Sequence, residues 1–347
     1  MASLCLAVMV RDDAARLHRC IESVKRSVDE VLVLDTGSKD DTVSVARSSG
    51  AQVYEIEWPN NFAAALNVLL DKVRTDWVLR LDSDEWFEEN AASPVREFIE
   101  DLDSCAFFLR RRDIQPHGGY EEISLIRLWR RHEILRYEGI VHENIPLERF
   151  ATAWPGKRMA RSRLWFWHDG YGAGHLEKIR RNVVLLEREV QANPGSAYHQ
   201  AMLAKAYADL GDGRADEVIA SIVRGSLDDK APSTPVLSVI FSEHLQRIQG
   251  PDLQDADTKR VVERAIEWFG NSPQVMVAVA NLETRRGDRQ AALEALLKLE
   301  AMATTGEYDR SLPVNPALFG KAFWKHLDRL ADQLGRYDVC RRCEPHL

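Results

Sequence analysis

Trp77-Val78-Leu79-Arg80-Leu81-Asp82-Ser83-Asp84-Glu85 is an apolar run that ends in acid. In an extended strand residues i and i+2 point to one side, which predicts that Asp82 and Asp84 present both carboxylates where the strand leaves the core. Mg²⁺ and Mn²⁺ take oxygen ligands and keep positions for water and phosphate oxygens, so the pair suits such an ion. A solvated turn after a strand would read the same way from these nine residues. The flanking sequence decides between the two.

On the N-terminal side the chain alternates strand and helix. Residues 4–10 are a continuous apolar run, residues 14–28 carry helical spacing through Leu17, Cys20, Ile21 and Val24, and residues 30–34 are apolar again. The cycle repeats with a helix at 42–49, a strand at 52–56, a helix at 62–73 and the strand at 77–81. Strand, helix, strand implies parallel pairing in an α/β sheet. Such sheets bind ligands at the carboxyl edge, where the polar clusters Arg11-Asp12-Asp13, Asp35-Thr36-Gly37-Ser38 and Asp82-Ser83-Asp84 are expected to share one cleft. Ser38 and Asp40 read as helix caps, which leaves the Asp35 carboxylate for a base or ribose. There is no Gly-x-Gly-x-x-Gly after the first strand and no phosphate-loop motif, which argues against a dinucleotide enzyme and a P-loop ATPase.

The 347 residues, 45% of them hydrophobic, suffice for about two domains. A net charge of −8 makes a nucleic-acid binder an unfavourable reading. From Cys105 to Arg181, however, fifteen Lys or Arg stand against nine Asp or Glu. Arg110, Arg111, Arg112, Arg130 and Arg131 read as solvated or strand-edge charges, and Arg127 as a phosphate contact. The cysteines at 5, 20, 105, 340 and 343 form no even framework and read as free thiols. With no secretory leader and no apolar run of about 18 residues, the expected setting is the cytoplasm, with no transmembrane segment.

Four segments together resemble family 2 glycosyltransferases of the GT-A nucleotide-sugar fold: Val10 to Asp13, Val33 to Thr42, Asn61 to Asn67, and Val78 to Glu85. Tyr137-Glu138-Gly139-Ile140-Val141-His142-Glu143, then His168-Asp169-Gly170-Tyr171 and Arg181-Asn182, resemble a subgroup whose catalytic domain continues into tetratricopeptide-like helices. The bacteriocin S-glycosyltransferases of the sublancin type are similar in layout. The resemblance implies a metal-dependent, inverting enzyme that moves a sugar from a nucleoside-diphosphate donor, a UDP-sugar foremost, to a peptide or other acceptor.

By resemblance, Asp35 reads the base, the turn from Arg11 to Asp13 lies against the nucleoside, Asp82 touches ribose or sugar, and Asp84 ligates Mn²⁺ or Mg²⁺. The donor-binding set is thus Val10, Arg11, Asp13, Asp35, Gly37, Asp82, Ser83 and Arg127. His142 or His168 completes the metal site, and Glu143 is the candidate general base beside Asp84. In two places the chain departs from the family pattern: Asp13 replaces a Glu, and Leu66 replaces an Arg. The Leu66 change supports a rival reading, a silent nucleotide-sugar scaffold whose helices bind a peptide. A nucleotidyltransferase would want a Gly-rich basic turn after the first strand, which is absent.

After Tyr171 the pattern is helical throughout: 175–191, 197–210, 215–224, 236–249, 258–269, 273–286, 289–303 and 316–334. Gly211, Gly250 and Gly287 punctuate it, and Gly-Asp pairs at 211 and 287 follow short tetratricopeptide-like signatures. Stacked helix pairs of this kind offer an acceptor-binding or self-association surface, or a buttress. The expected domains are 1–172 and 173–347.

Overall fold

The structure, a computed structural model, describes residues 2–88, 95–115, 118–170, 175–232 and 234–347. Tyr171 and the boundary expected between 172 and 173 lie outside the described residues. The chain divides into two compact units, one up to His175 and one from Leu176.

In the first unit, β1 (Leu4–Val10), β2 (Glu30–Asp35), β3 (Gln52–Glu55) and β4 (Trp77–Asp82) alternate with α1 (Ala14–Val24), α2 (Thr42–Ser48) and α3 (Phe62–Leu70). Then follow β5 (Glu85–Trp86), α4 (Val95–Ile99), β6 (Ser104–Ile114), β7 (Tyr120–Arg130), α5 (Leu147–Ala153) and β8 (Arg158–His168). All eight strands form one sheet in the order β3-β2-β1-β4-β7-β6-β8-β5. β1 is paired in parallel on both sides, which is why its run is apolar without alternation: both faces are covered. Leu4, Leu6, Val8 and Val10 pack with Leu17, Cys20, Ile21 and Val24 of α1, while Cys5 and Ala7 pack with Ala63, Ala65, Leu66 and Leu69 of α3. The register sets Val10 beside Asp35 and Met9 beside Asp82, so the carboxyl ends of β1, β2 and β4 lie level.

Beyond β4 the sheet turns mixed: β7 is antiparallel to β4 and to β6, β8 is parallel to β6, and β5 is antiparallel to β8. This corrects the edge reading of Arg110, Arg111 and Arg112. β6 is an interior strand, and their charges are met by partners on the sheet, Arg111 by Asp113 and both Arg110 and Arg112 by Glu122.

The second unit is helical: α6 (His175–Ala192), α7 (Ala197–Leu210), α8 (Arg214–Ser226), α9 (Leu237–Arg247), α10 (Ala256–Phe269), α11 (Pro273–Arg286), α12 (Arg289–Thr305), α13 (Lys321–Gln333) and α14 (Tyr337–Cys343). Neighbours pack in sequence, α7 on α8, α8 on α9, α11 on α12, α13 on α14, with α9 also on α11. Gly211 and Gly287 close α7 and α11 at φ +66 and +84, left-handed values that L side chains adopt at a cost. The single helix expected at 316–334 is two pieces, because Gly320 takes an extended conformation between a 3₁₀ turn at Pro316–Phe319 and α13. All five cysteines are free thiols. Among the described residues no helix is long and apolar enough to cross a membrane.

Burial, reinforced by Arg224 and Arg247, holds the His244 imidazole on α9 below its ordinary value; His326 on α13 is lowered by burial and Arg329. The unfolded chain therefore takes up these protons first as pH falls through about 6.5. The expected result is a melting temperature lower at pH 5.5 than at pH 7.5, with the drop reduced in His244→Gln. A variant as pH-sensitive as the parent would remove His244 from the account.

Candidate active site at the carboxyl edge

Asp35 ends β2, buried, and both its oxygens are used by the turn that follows. Oδ1 accepts from the backbone N–H of Gly37 and of Ser38, at 2.9 Å each, and Oδ2 accepts from the Ser38 hydroxyl. The expectation that the turn leaves Asp35 idle is therefore corrected: an Asx turn needs this carboxylate, and Gly37 supplies the left-handed φ of +98. The neighbouring turn is stitched to it. The N–H of Asp12, at φ +50, donates to Ser38 Oγ (2.8 Å), and Lys39 N–H donates to Asp12 Oδ1 (2.6 Å). The Val10 carbonyl accepts from Thr36 N–H (3.0 Å), and the Arg11 side chain lies about half exposed, 3.6 Å from Asp12. Asp13 opens α1, takes Arg16 Nε on Oδ1 (2.6 Å) and the Ser83 hydroxyl on Oδ2 (2.6 Å).

Asp82 and Asp84 do not present themselves as one strand-face pair. β4 stops at Asp82, Ser83 and Asp84 form a turn, and β5 begins at Glu85. The i, i+2 rule requires extended backbone through all three residues, and the turn removes it. Asp82 is gripped by Arg80 through two contacts of 2.7 Å and by Arg127 Nη2 at 3.0 Å. Burial pushes its carboxyl up, but Arg80, Arg127, His168 and Arg111 outweigh that and leave it well below the usual range. Arg127 Nη2 also donates to Glu85 Oε1 (2.7 Å), and the fully buried Glu85 accepts from Asp82 N–H on Oε2 (2.9 Å). Arg127, expected at the diphosphate, is thus committed to two carboxylates.

Asp84 has different partners. Its Oδ2 lies 3.7 Å from His168 Nε2 and 3.9 Å from Arg16 Nη1. His168 ends β8, registered against Asp113 on β6 and Glu85 on β5. Its Nδ1 lies 2.8 Å from Oδ1 of the fully buried Asp113, which Arg111 grips through Nε (2.7 Å) and Nη2 (3.1 Å). Burial raises the Asp113 carboxyl, but His168 and Arg111 bring it below its ordinary value. The next residues complete the corner: Asp169 takes Arg19 Nη2 at 2.6 Å, and Arg19 lies 3.5 Å over the Trp86 ring.

The loop between β7 and α5 carries Glu143 and His142. Asn67 on α3 anchors it by a reciprocal amide pair, accepting from Tyr137 N–H (2.9 Å) and donating to its carbonyl (3.0 Å). Glu143 Oε1 lies 3.5 Å from Arg80 Nη2. Burial raises its carboxyl, opposed by Arg80 and reinforced by Asp82, and the net shift is upward. His142 sits at φ +54 between the bridged residues Glu138 and Asn144. Among the described residues no three His, Cys, Asp or Glu side chains gather as a metal-ligand set. The structure thus pairs Asp84 with His168 and does not assemble the trio Asp84, His142, His168, since His142 belongs to the loop that carries Glu143.

Arg80, Glu85, Asp113 and Asn67 were missed as site residues. Arg80 and Glu85 flank the acidic motif and Asn67 closes the Asn61 segment, so their positions were visible. Asp113 lies 55 residues from His168 in sequence, and only the β6–β8 register joins them.

The acid and arginine cluster stands at the carboxyl edge of an open α/β sheet, where such sheets bind ligands. The family model for glycosyl transferase family 2 matches residues 5–184, and the chain belongs to that family. Its first unit is an α/β domain, followed by helices. A TPR repeat-containing protein of Synechococcus elongatus is 32% identical over 228 residues, 61% of this chain and 54% of that protein. The SPbeta prophage-derived glycosyltransferase SunS of Bacillus subtilis is 24% identical over 194 residues, 54% of this chain and 45% of that protein. The chain thus spans about half the length of these curated relatives. A solved structure of glucosyl-3-phosphoglycerate synthase from Mycobacterium tuberculosis, with Mn²⁺ and UDP, is 24% identical over 32% of this chain and 44% of that one, with a TM-score of 0.29.

Arg80 is buried and joins Asp82 to Glu143. Removing one member of a buried pair leaves an uncompensated charge, so Arg80→Met should lower unfolding free energy by about 3–5 kcal/mol, read from urea titrations. A loss under about 1 kcal/mol would show that water already screens the cluster.

Proposed function

We propose that this chain transfers a sugar from a nucleoside-diphosphate donor, a UDP-sugar foremost, to a peptide or other acceptor with inversion. The observation that carries the reading is a cradle at Gly170. A Cβ built there would stand 2.3 Å from His168 Nε2 and 3.0 Å from Asp84 Oδ2, so an imidazole nitrogen and a carboxylate oxygen border the same small space. That donor set fits Mn²⁺ or Mg²⁺, which keep further positions for water and phosphate oxygens. Asp84 and His168 would hold the ion, and it would supply charge against the departing diphosphate as the anomeric carbon becomes cationic.

The remaining steps belong to the chain's own residues. Glu143 takes the proton of the attacking acceptor group; burial makes its carboxylate a stronger base, and a positioned base contributes about 10²–10⁴-fold. Arg80 orients it. The turns carrying Val10, Arg11, Asp13, Asp35, Gly37 and Ser83 receive the nucleoside, with Asp35 and Asp82 accepting hydrogen bonds on lone pairs their turn and arginine partners leave open. Arg127 acts by holding Asp82. Leu66, where the family carries Arg, is packed in the core against α3's own side of the sheet, so this position serves packing.

Thermal-shift and calorimetric titration with UDP-, GDP- and dTDP-sugars, with and without Mn²⁺, tests the reading. One donor should raise the melting temperature only with metal. Asp84→Ala should abolish that rise, and Glu143→Gln should keep it while lowering transfer at least about 100-fold. No response to any donor from folded protein would favour the silent scaffold instead. The transfer rate should also fall on the acid side at a pH above the ordinary glutamate range, because the base must be ionised and its proton affinity is raised.

A further inference from the structure

His168 has two ring nitrogens with different surroundings, and the sheet dictates which carries the proton. Nδ1 meets Asp113 Oδ1 at 2.8 Å, and Asp113 is fully buried with the Arg111 guanidinium against both its oxygens. A carboxylate so held is an acceptor only, so Nδ1 must be the donor. The neutral ring then carries a lone pair on Nε2, the atom that borders the Gly170 cradle opposite Asp84. A metal-bound histidine commonly has its other ring nitrogen hydrogen-bonded to a carboxylate, which fixes both tautomer and ring orientation. Asp113 and His168 sit directly opposite each other in the β6–β8 register, so this geometry is built into the sheet rather than into a loop.

We propose that Asp113, backed by Arg111, is a positioning residue that locks His168 as the Nδ1–H tautomer with Nε2 toward Asp84, and that Gly170 is required because any side chain there would fill the space the two donors share. The inference rests on the reading of Asp84 and His168 as cation ligands for its purpose and for its second readout, but not for its first. An ordinary exposed imidazole favours the Nε2–H form, so the tautomer itself reports the device in metal-free protein.

The first readout is a long-range ¹H–¹⁵N correlation spectrum of metal-free, ¹⁵N-histidine-labelled full-length protein, with the His168 signals assigned by their loss in His168→Gln. The wild type should show Nδ1 protonated, and Asp113→Ala should shift His168 to the Nε2–H form. The second is Mn²⁺ affinity, measured with manganous chloride alone by water-proton relaxation. It should fall about 10–100-fold in Asp113→Ala, and comparably in Gly170→Ala, whose methyl would displace His168 Nε2.

An Nε2–H tautomer in the wild type overturns the proposal and needs no Asp113 variant, so a failure of Asp113→Ala to fold leaves the test standing. Asp113→Asn, which keeps the shape and an acceptor oxygen, should then retain the Nδ1–H form. An unchanged tautomer in folded Asp113→Ala, or unchanged Mn²⁺ affinity there and in Gly170→Ala, also overturns it. If wild-type protein shows the Nδ1–H form and binds no Mn²⁺, the positioning device stands and the cation reading fails.

Discussion

The buried charge cluster at the end of the sheet is the constraint on which the rest of the first unit depends. Arg80, Arg111 and Arg127 meet Asp82, Glu85, Asp113 and Glu143 where side chains have little access to water. An unpaired charge there would be expelled or neutralised, so each member holds its neighbour in place. The partners come from β4, β5, β6, β7 and the loop after β7. A slip of one residue in any of those strands would turn its charge to the opposite face and leave the others unmatched. The antiparallel half of the sheet is thereby locked to the parallel half at one point, through Arg127 of β7 on Asp82 of β4.

That lock also divides the labour between two aspartates that look equivalent in sequence. Asp82 is surrounded by cations and kept ionised, while Asp84, released by the turn at Ser83, faces His168 and Arg16. The same turn puts the Ser83 hydroxyl on Asp13, tying the acidic corner to the start of α1. Local partners, not spacing, separate the two carboxylates: Asp82 is held by Arg80 and Arg127, and Asp84 lies near His168 and Arg16.

The α/β half was legible because its signals are local. Continuous apolar strands, period-3.6 helices and the positive-φ Gly37 each declare themselves within a few residues, as Gly211 and Gly287 do in the helical unit. Glycosyl transferase family 2 membership followed from four short segments. What could not be read was pairing at long range. Arg110 to Arg112 look solvated until β6 is known to lie between β7 and β8, and Asp113 looks ordinary until His168 is set opposite it. The Asp82–Asp84 geometry was hidden for a different reason: the periodicity argument holds only while the backbone stays extended, and the chain turns at Ser83 and Asp84.

The cluster bears on whether the site is idle. Replacing a buried ion pair by apolar side chains of similar volume is often neutral or stabilising by about 1–4 kcal/mol. Net stability alone therefore does not account for four carboxylates and three arginines held together. What the charges supply is fixed geometry: a glutamate raised from its ordinary value, an aspartate held below its own, and an imidazole with Nδ1 on a carboxylate. Leu66 points the same way. It fills core beside Leu32 and Leu34, so an Arg could be lost there without disturbing the charged edge. A scaffold that merely resembled a sugar-transfer domain could have relaxed the edge and kept the core. Here the core position is filled by an apolar side chain, and the edge holds its paired charges.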